Sequence, residues 1–294
     1  MSESPGSEDS QRFSLVAGGP FHSILGRIGL LSNDSLPTWG AALLLAAAAW
    51  AAPAIAAILQ SLLNTDYSGW RYFSDGTVYT RYIIAVFAMV ATERIADGRI
   101  SMLVNQFLHA RLLAPDARNQ FREYVNSADL MVSRPLVEAV LLVIALGWSW
   151  LSFYFVTTIS TGGWEELSSG SETTMSWAGV TAELLSNPVF LFLVLRWFWR
   201  FLVWTLLLYR TSRLQLQLLP IHPDRAGGLN FLSLFPGIFG GFVFALSCVV
   251  SSSLLKTMAL APTSQWFIWT AICGWVLLML LVFLGPVSYT HLTL

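Results

Sequence analysis

Residues Trp39–Leu63 read WGAALLLAAAAWAAPAIAAILQSLL, twenty-five positions with no charge and with polar side chains only at Gln60 and Ser61. A helix of that length rises roughly 37 Å at about 1.5 Å per residue. That exceeds the ~30 Å hydrocarbon core of a bilayer. One such run could be a buried core helix, but five more follow, at about 78–95, 135–159, 187–209, 231–255 and 265–286. The second is the shortest and ends in Glu93-Arg94. The series predicts an all-α fold: a polytopic transmembrane helical bundle of about six spans.

Composition agrees. The 294 residues are 55% hydrophobic and only 11% charged, against about 25% charged in ordinary soluble domains. Thirty-three charges cannot keep a soluble surface of this size wet. The net charge of −1 offers no basic field for nucleic acid. Cys248 and Cys273 both lie in apolar runs and form neither a ligand cluster nor a disulfide framework. Met1–Gln11 is rich in Ser, Glu and Asp, and residues 1–20 are expected to be a disordered tail. The acidic start and late first apolar run speak against a cleaved signal peptide.

Arginine placement orients the bundle. With the N-terminus inside, eleven arginines fall in inside loops: Arg12, Arg27, Arg94, Arg99, Arg111, Arg118, Arg122, Arg134, Arg210, Arg213 and Arg225. The outside loops hold only Arg71, Arg81 and Lys256. Trp70, Trp164, Trp177, Trp266 and Trp269 then gather at the outer interface. The longest inside loop, 96–134, repeats Ile100, Leu103, Val104, Phe107, Leu108 and Leu112 at helical spacing, breaks at Pro115, and resumes with Phe121, Tyr124, Val125 and Leu130. It predicts a cytoplasmic helical hairpin, which is also the surface a protein partner would use. Phe21–Leu31 predicts a short helix on the inner surface. Residues 21–286 form a single transmembrane domain in this reading. Gly237, Gly241 and Ala245 make a small-residue ridge for close helix packing, and Pro236-Gly237 and Pro53 predict kinks in their spans.

Two stretches carry candidate chemistry. Arg196 and Arg200, in RWFWR, share one helix face at i, i+4 spacing. Counted back from Arg210, they fall about 15–21 Å from the inner edge, where an arginine costs at least ~2.5–3.5 kcal/mol. They must face the bundle interior or a wet cavity. One reading is a site for a small anion or an anionic lipid. The other is a buried pair satisfied by Glu138, by carbonyls or by stacking on Trp199. The second stretch is Pro220–Leu229, PIHPDRAGGL, at the inner mouth. His222 and Asp224 could act as an acid/base or metal pair. Gly227 and Gly228 expose backbone N–H groups to an anion, and Arg225 could grip a carboxylate or phosphate. The same residues also make an ordinary tight turn, with Arg225 at lipid headgroups. A lone His-x-Asp lacks a metal's ligand count, and no metal or cofactor is expected. Glu93-Arg94 and Asp97-Gly98-Arg99 read as a solvated ion-pair network.

His222–Leu229 with Phe231-Leu232 resembles a motif, HPDRAGGLxFL, of a family of bacterial multi-pass integral membrane proteins. Asp75, Arg81-Tyr82, Glu93, Gln106-Phe107 and Leu284-Gly285-Pro286 resemble it too. The resemblance spans about 60–286 and implies no particular activity. Asn230 departs from the glycine usual there. In that family the chain continues past Gly-Pro into a basic segment. Here Val287–Leu292 reads VSYTHL, which resembles one frame of a transposase end sequence used in sequencing libraries. Residues 287–294 are therefore expected to be adapter, and the gene a metagenomic fragment.

These readings together predict a multi-pass protein of the bacterial cytoplasmic membrane. The favoured role is a transporter or channel for a small anionic solute. The alternatives are a membrane-embedded enzyme using His222 and Asp224, or a structural or sensing subunit of a membrane complex.

Overall fold

The structure, a computed structural model, describes residues 13–15, 18–32, 36–64, 67–109, 113–158, 163–169, 172–215, 230–260 and 264–292. It is an all-α bundle of the polytopic membrane type. Five helices are long and apolar enough to cross a membrane: Trp39–Leu63, Pro135–Phe155, Trp177–Ser212, Gly240–Leu260 and Gln265–Val282. A sixth long helix covers the predicted 78–95 span but carries Arg81, Glu93 and Arg94 there. It starts as a helical turn at Gly76–Val78, passes through a π-helical segment at Tyr79–Ala85, and continues as Val86–His109.

Local chemistry sets the helix ends. Thr38 caps the Trp39–Leu63 helix, its hydroxyl accepting from the Ala41 amide at 3.1 Å. Asp75 and Ser176 cap the starts of two others, accepting from the amides of Thr77 and Gly179. Pro115 opens the Pro115–Ser133 helix and Pro135 opens the Pro135–Thr158 helix. Pro53 sits inside the alanine-rich helix, which runs through it unbroken. The predicted break near Pro236 is larger than a kink. The chain forms a 3₁₀ turn at Asn230–Leu234 and a short helix at Phe235–Ile238, and only then the Gly240–Leu260 helix.

Connections gather at two ends. At one, Phe13 accepts from Ser101, Ser14 bonds Asp97, the Ala114 amide donates to the Gln215 carbonyl, and Arg99 donates to the Gly237 carbonyl. Arg94, Arg118, Arg122, Arg134, Arg210 and Arg213 belong to the same elements, so we call this the basic end. At the other, Tyr67 donates to the Trp164 carbonyl, Trp164 and Lys256 donate to Asp75, and the Trp177 amide donates to Gln60. This is the tryptophan end. It also carries a two-stranded antiparallel hairpin, Glu166–Ser169 with Glu172–Met175, that hydropathy alone did not indicate.

The predicted helical hairpin is present as the end of Val86–His109 and Pro115–Ser133. Its apolar face is covered by the chain itself: Leu103, Val104, Phe107, Phe121 and Val125 are buried in one cluster with Trp204, Leu207 and Leu208. Phe13 and Leu15, within the segment expected to be a tail, are buried in that cluster too. The short surface helix is Gly19–Arg27, with Leu25 buried and Ile24 exposed.

Two close approaches require glycine. A Cβ on Gly241 would stand 1.9 Å from Thr92 Oγ1, so the Gly240–Leu260 helix lies directly against the Val86–His109 helix. Of the predicted ridge, Gly241 and the fully buried Ala245 lie on this helix, whereas Gly237 is exposed in the separate short helix Phe235–Ile238. Gly19 has φ +85°, and a Cβ there would stand 2.6 Å from the Glu138 carboxyl carbon. That contact brings the N-terminal segment to the charged centre of the bundle.

Candidate functional site

Arg196 and Arg200 are buried, and both face the bundle interior. Each donates through Nη1 to the same oxygen, Glu93 Oε1, at 2.8 Å. Arg196 Nε also donates to Glu138 Oε1 at 3.0 Å. Glu138 Oε2 accepts from the Phe21 amide at 2.8 Å, and the Phe21 ring lies 4.6 Å beneath the Arg196 guanidinium. Arg200 stacks on Trp197, at 5.3 Å, rather than on Trp199, whose indole donates to the Met131 carbonyl. Glu93 is 1% exposed and Arg200 2%. Among the described residues, two positive and two negative side chains thus form a charge-balanced, charge-assisted network. Among the described residues, Glu93 Oε2 is buried with no hydrogen-bond partner.

This geometry corrects one sequence expectation and adds to another. Glu93 is not part of a solvated pair with Arg94; it points inward because it is the one carboxylate both arginines reach. The packing also fixes the level of the arginines against the neighbouring helices. Arg196 lies level with Glu138, the fourth residue of the Pro135–Thr158 helix. The Trp177–Ser212 helix continues for sixteen residues past Arg196 toward the basic end, about 24 Å at 1.5 Å per residue. Phe201, Trp204, Leu207 and Leu208 on that continuation are buried in the hairpin cluster. The network therefore sits where the apolar bundle meets the hairpin. His222, Asp224, Arg225, Gly227 and Gly228 lie outside the described residues.

Hydropathy and motif reading missed a second polar cluster, at the tryptophan end. Lys256 Nζ donates to Asp75 Oδ2 at 2.7 Å and to Glu165 Oε1 at 3.2 Å. Trp164 Nε1 donates to the same Asp75 oxygen at 2.9 Å, and the amide and hydroxyl of Thr77 donate to Asp75 Oδ1. Burial alone would raise the Asp75 carboxyl, but the Lys256 ammonium and the Thr77 bonds outweigh it and hold it below its usual range. Desolvation raises the Tyr67 and Tyr72 phenols. Trp164, expected in an exposed aromatic belt, is instead buried edge-on against Tyr72, with ring centroids 4.9 Å apart. Trp70, Trp177, Trp266 and Trp269 are exposed, as a belt requires. The available signal was the rarity of the charge: Lys256 is the chain's only lysine, and the arginine-free loop before it carries Glu165.

No protein-family model, no curated protein and no solved structure matches this chain.

Proposed function

We propose that this chain is a transporter or channel of a bacterial inner membrane for a small solute bearing an anionic group. The basic end faces the cytoplasm, in line with the eleven-to-three split of basic residues. The observation that carries the reading is the shared oxygen of Glu93. A single carboxylate oxygen holds both Arg196 and Arg200, while its other oxygen is buried without a partner among the described residues. A proton on Glu93, or a solute carboxylate or phosphate displacing it, releases two guanidinium donors on one helix face at once. Ionisable groups in such positions commonly mark solute or proton pathways.

The test is flux in proteoliposomes of the full chain, with chloride, phosphate and acetate as probes. Arg196 and Arg200 are replaced by glutamine together with Glu93 and Glu138, which keeps the centre neutral and able to hydrogen-bond. Loss of flux in a monodisperse variant supports the reading. No flux of any probe through the wild-type protein, or equal flux through the variant, rejects it.

The charge balance of the same network favours a second reading, a structural latch. It ties together the N-terminal segment at Phe21, the Val86–His109 helix, the Pro135–Thr158 helix and the Trp177–Ser212 helix. Under that reading the variant loses thermal stability and keeps its flux. An enzymatic role would rest on His222 and Asp224. A protein partner at 96–134 would meet the polar outer face of the hairpin, since its apolar face is already covered.

A further inference from the structure

The polar cluster at the tryptophan end borders a partly open cavity of about 290 Å³. Four elements wall it: the start of the 76–109 helix, the loop at Trp164-Glu165, the Trp177–Ser212 helix and the end of the Gly240–Leu260 helix. The charges on its lining are Arg81, Glu165, Glu183 and Lys256, two of each sign. A wider space of about 550 Å³ adjoins it and shares Thr77, Trp164 and Lys256.

These charges are not equally engaged. Lys256 is held by Asp75 and Glu165. Arg81 meets the Tyr82 hydroxyl and attracts Glu183 at longer range, but among the described residues no carboxylate lies within ion-pairing distance of it, and its buried Nε has no hydrogen-bond partner. Among the described residues, Glu183 accepts a side-chain hydrogen bond only from the Asn187 amide at 2.9 Å, and the second oxygen of Glu165 has no hydrogen-bond partner. One cation and two carboxylates therefore keep bonding capacity around one small space.

Backbone geometry singles out the same residues. The described residues contain two π-helical segments, Tyr79–Ala85 and Ala182–Ser186. Arg81 lies in the first and Glu183 in the second. Such segments are rare and concentrate at functional sites. Here both face one cavity and bring to it charges of opposite sign.

We infer that this cavity binds a small zwitterion, its carboxylate on Arg81 and its ammonium between Glu183 and Glu165. A simple anion would meet two carboxylates on the walls, and a simple cation would leave Arg81 without a carboxylate in ion-pairing distance; a ligand carrying both charges satisfies both. The volume is at the lower end for ligand pockets, which restricts the class to molecules the size of a short amino acid or a betaine. The rings of Trp164 and Tyr82 on the lining suit an ammonium. The inference does not rest on the transport reading, although a zwitterion does bear the anionic group that reading requires.

The test is calorimetric titration of the full chain in nanodiscs with glycine, L-alanine, L-serine and glycine betaine, each against acetate and methylammonium. Saturable binding of at least one zwitterion is expected, at least tenfold tighter than either single-charge analogue. Arg81→Gln and Glu183→Gln should each weaken it tenfold or more, while Arg27→Gln, at the opposite end, leaves it unchanged. The wild-type comparison of zwitterion with analogues decides the matter even if a variant fails to fold. No saturable binding of any of the four, acetate or methylammonium binding as tightly, or undiminished binding in a folded Arg81→Gln protein would overturn the inference. Binding without flux would leave this site standing and count against transport alone.

Discussion

Arg196 and Arg200, one helical turn apart, donate to a single oxygen of Glu93, each at 2.8 Å. The carboxylate is the hub and the arginines are its dependants. Removing Glu93 takes away the carboxylate oxygen to which both buried guanidinium groups donate. Breaking a buried ion pair from one side costs about 3–5 kcal/mol. Glu93→Ala should therefore lower the thermal midpoint of the detergent-solubilised protein steeply, and Glu93→Gln, which can still accept through its amide oxygen, should do so less. Equal midpoints for wild type and Glu93→Ala would show that the network adds nothing to stability.

Gly241 lets the Gly240–Leu260 helix touch Thr92. A methyl there would stand 1.9 Å from Thr92 Oγ1 and 3.0 Å from its Cβ, and a β-branched side chain inside a helix has little freedom to move aside. Gly241→Ala should cost about 1–3 kcal/mol, the usual range for overpacking. Adding Thr92→Ala should restore most of the loss. A double variant no more stable than Gly241→Ala would show that the strain lies elsewhere.

Asp75 supplies a pH dependence with a definite sign. Its folded-state carboxyl is held below the usual range, its burial outweighed by Lys256 and Thr77. Its stabilising contribution is therefore fully present above the unfolded value of about 3.9 and is lost as pH falls through the folded value. Melting curves from pH 7 down to pH 3 should show an acid-side loss of stability that is smaller in Asp75→Asn. The variant should also be less stable than wild type at neutral pH. Parallel curves for the two proteins would contradict the assignment.

The two ends of the bundle predict opposite accessibility. In a protein with Cys248 and Cys273 replaced by serine, a cysteine at exposed Ser74 should react with an impermeant maleimide from outside intact cells. One at exposed Glu123 should react only after the membrane is opened. The reverse pattern would invert the proposed orientation.

Much of the architecture was legible in local sequence. Uncharged runs the length of a bilayer, arginines grouped on alternate loops, and a helical repeat broken at Pro115 are properties of neighbouring residues. They specified the membrane bundle, the hairpin and the shared face of Arg196 and Arg200. The alignment of Gly241 and Ala245 was equally readable from their i+4 spacing, but Gly237 falls on the far side of the break before Gly240.

What those residues meet was decided only by tertiary structure. Glu93 lies 103 positions from Arg196, and Asp75 181 positions from Lys256. Such pairs form only when helices from distant parts of the chain pack in one particular register, and hydropathy carries no information about register. The depth of the arginines follows from the same cause: counting residues along one helix gives a distance from its own end, whereas their level relative to Glu138 depends on how far that helix runs beyond its neighbour. The tryptophan-end cavity is the extreme case, with Arg81, Glu165, Glu183 and Lys256 drawn from four separate segments. The single lysine marks one of them in sequence, but only the packing of the bundle brings all four together around one space.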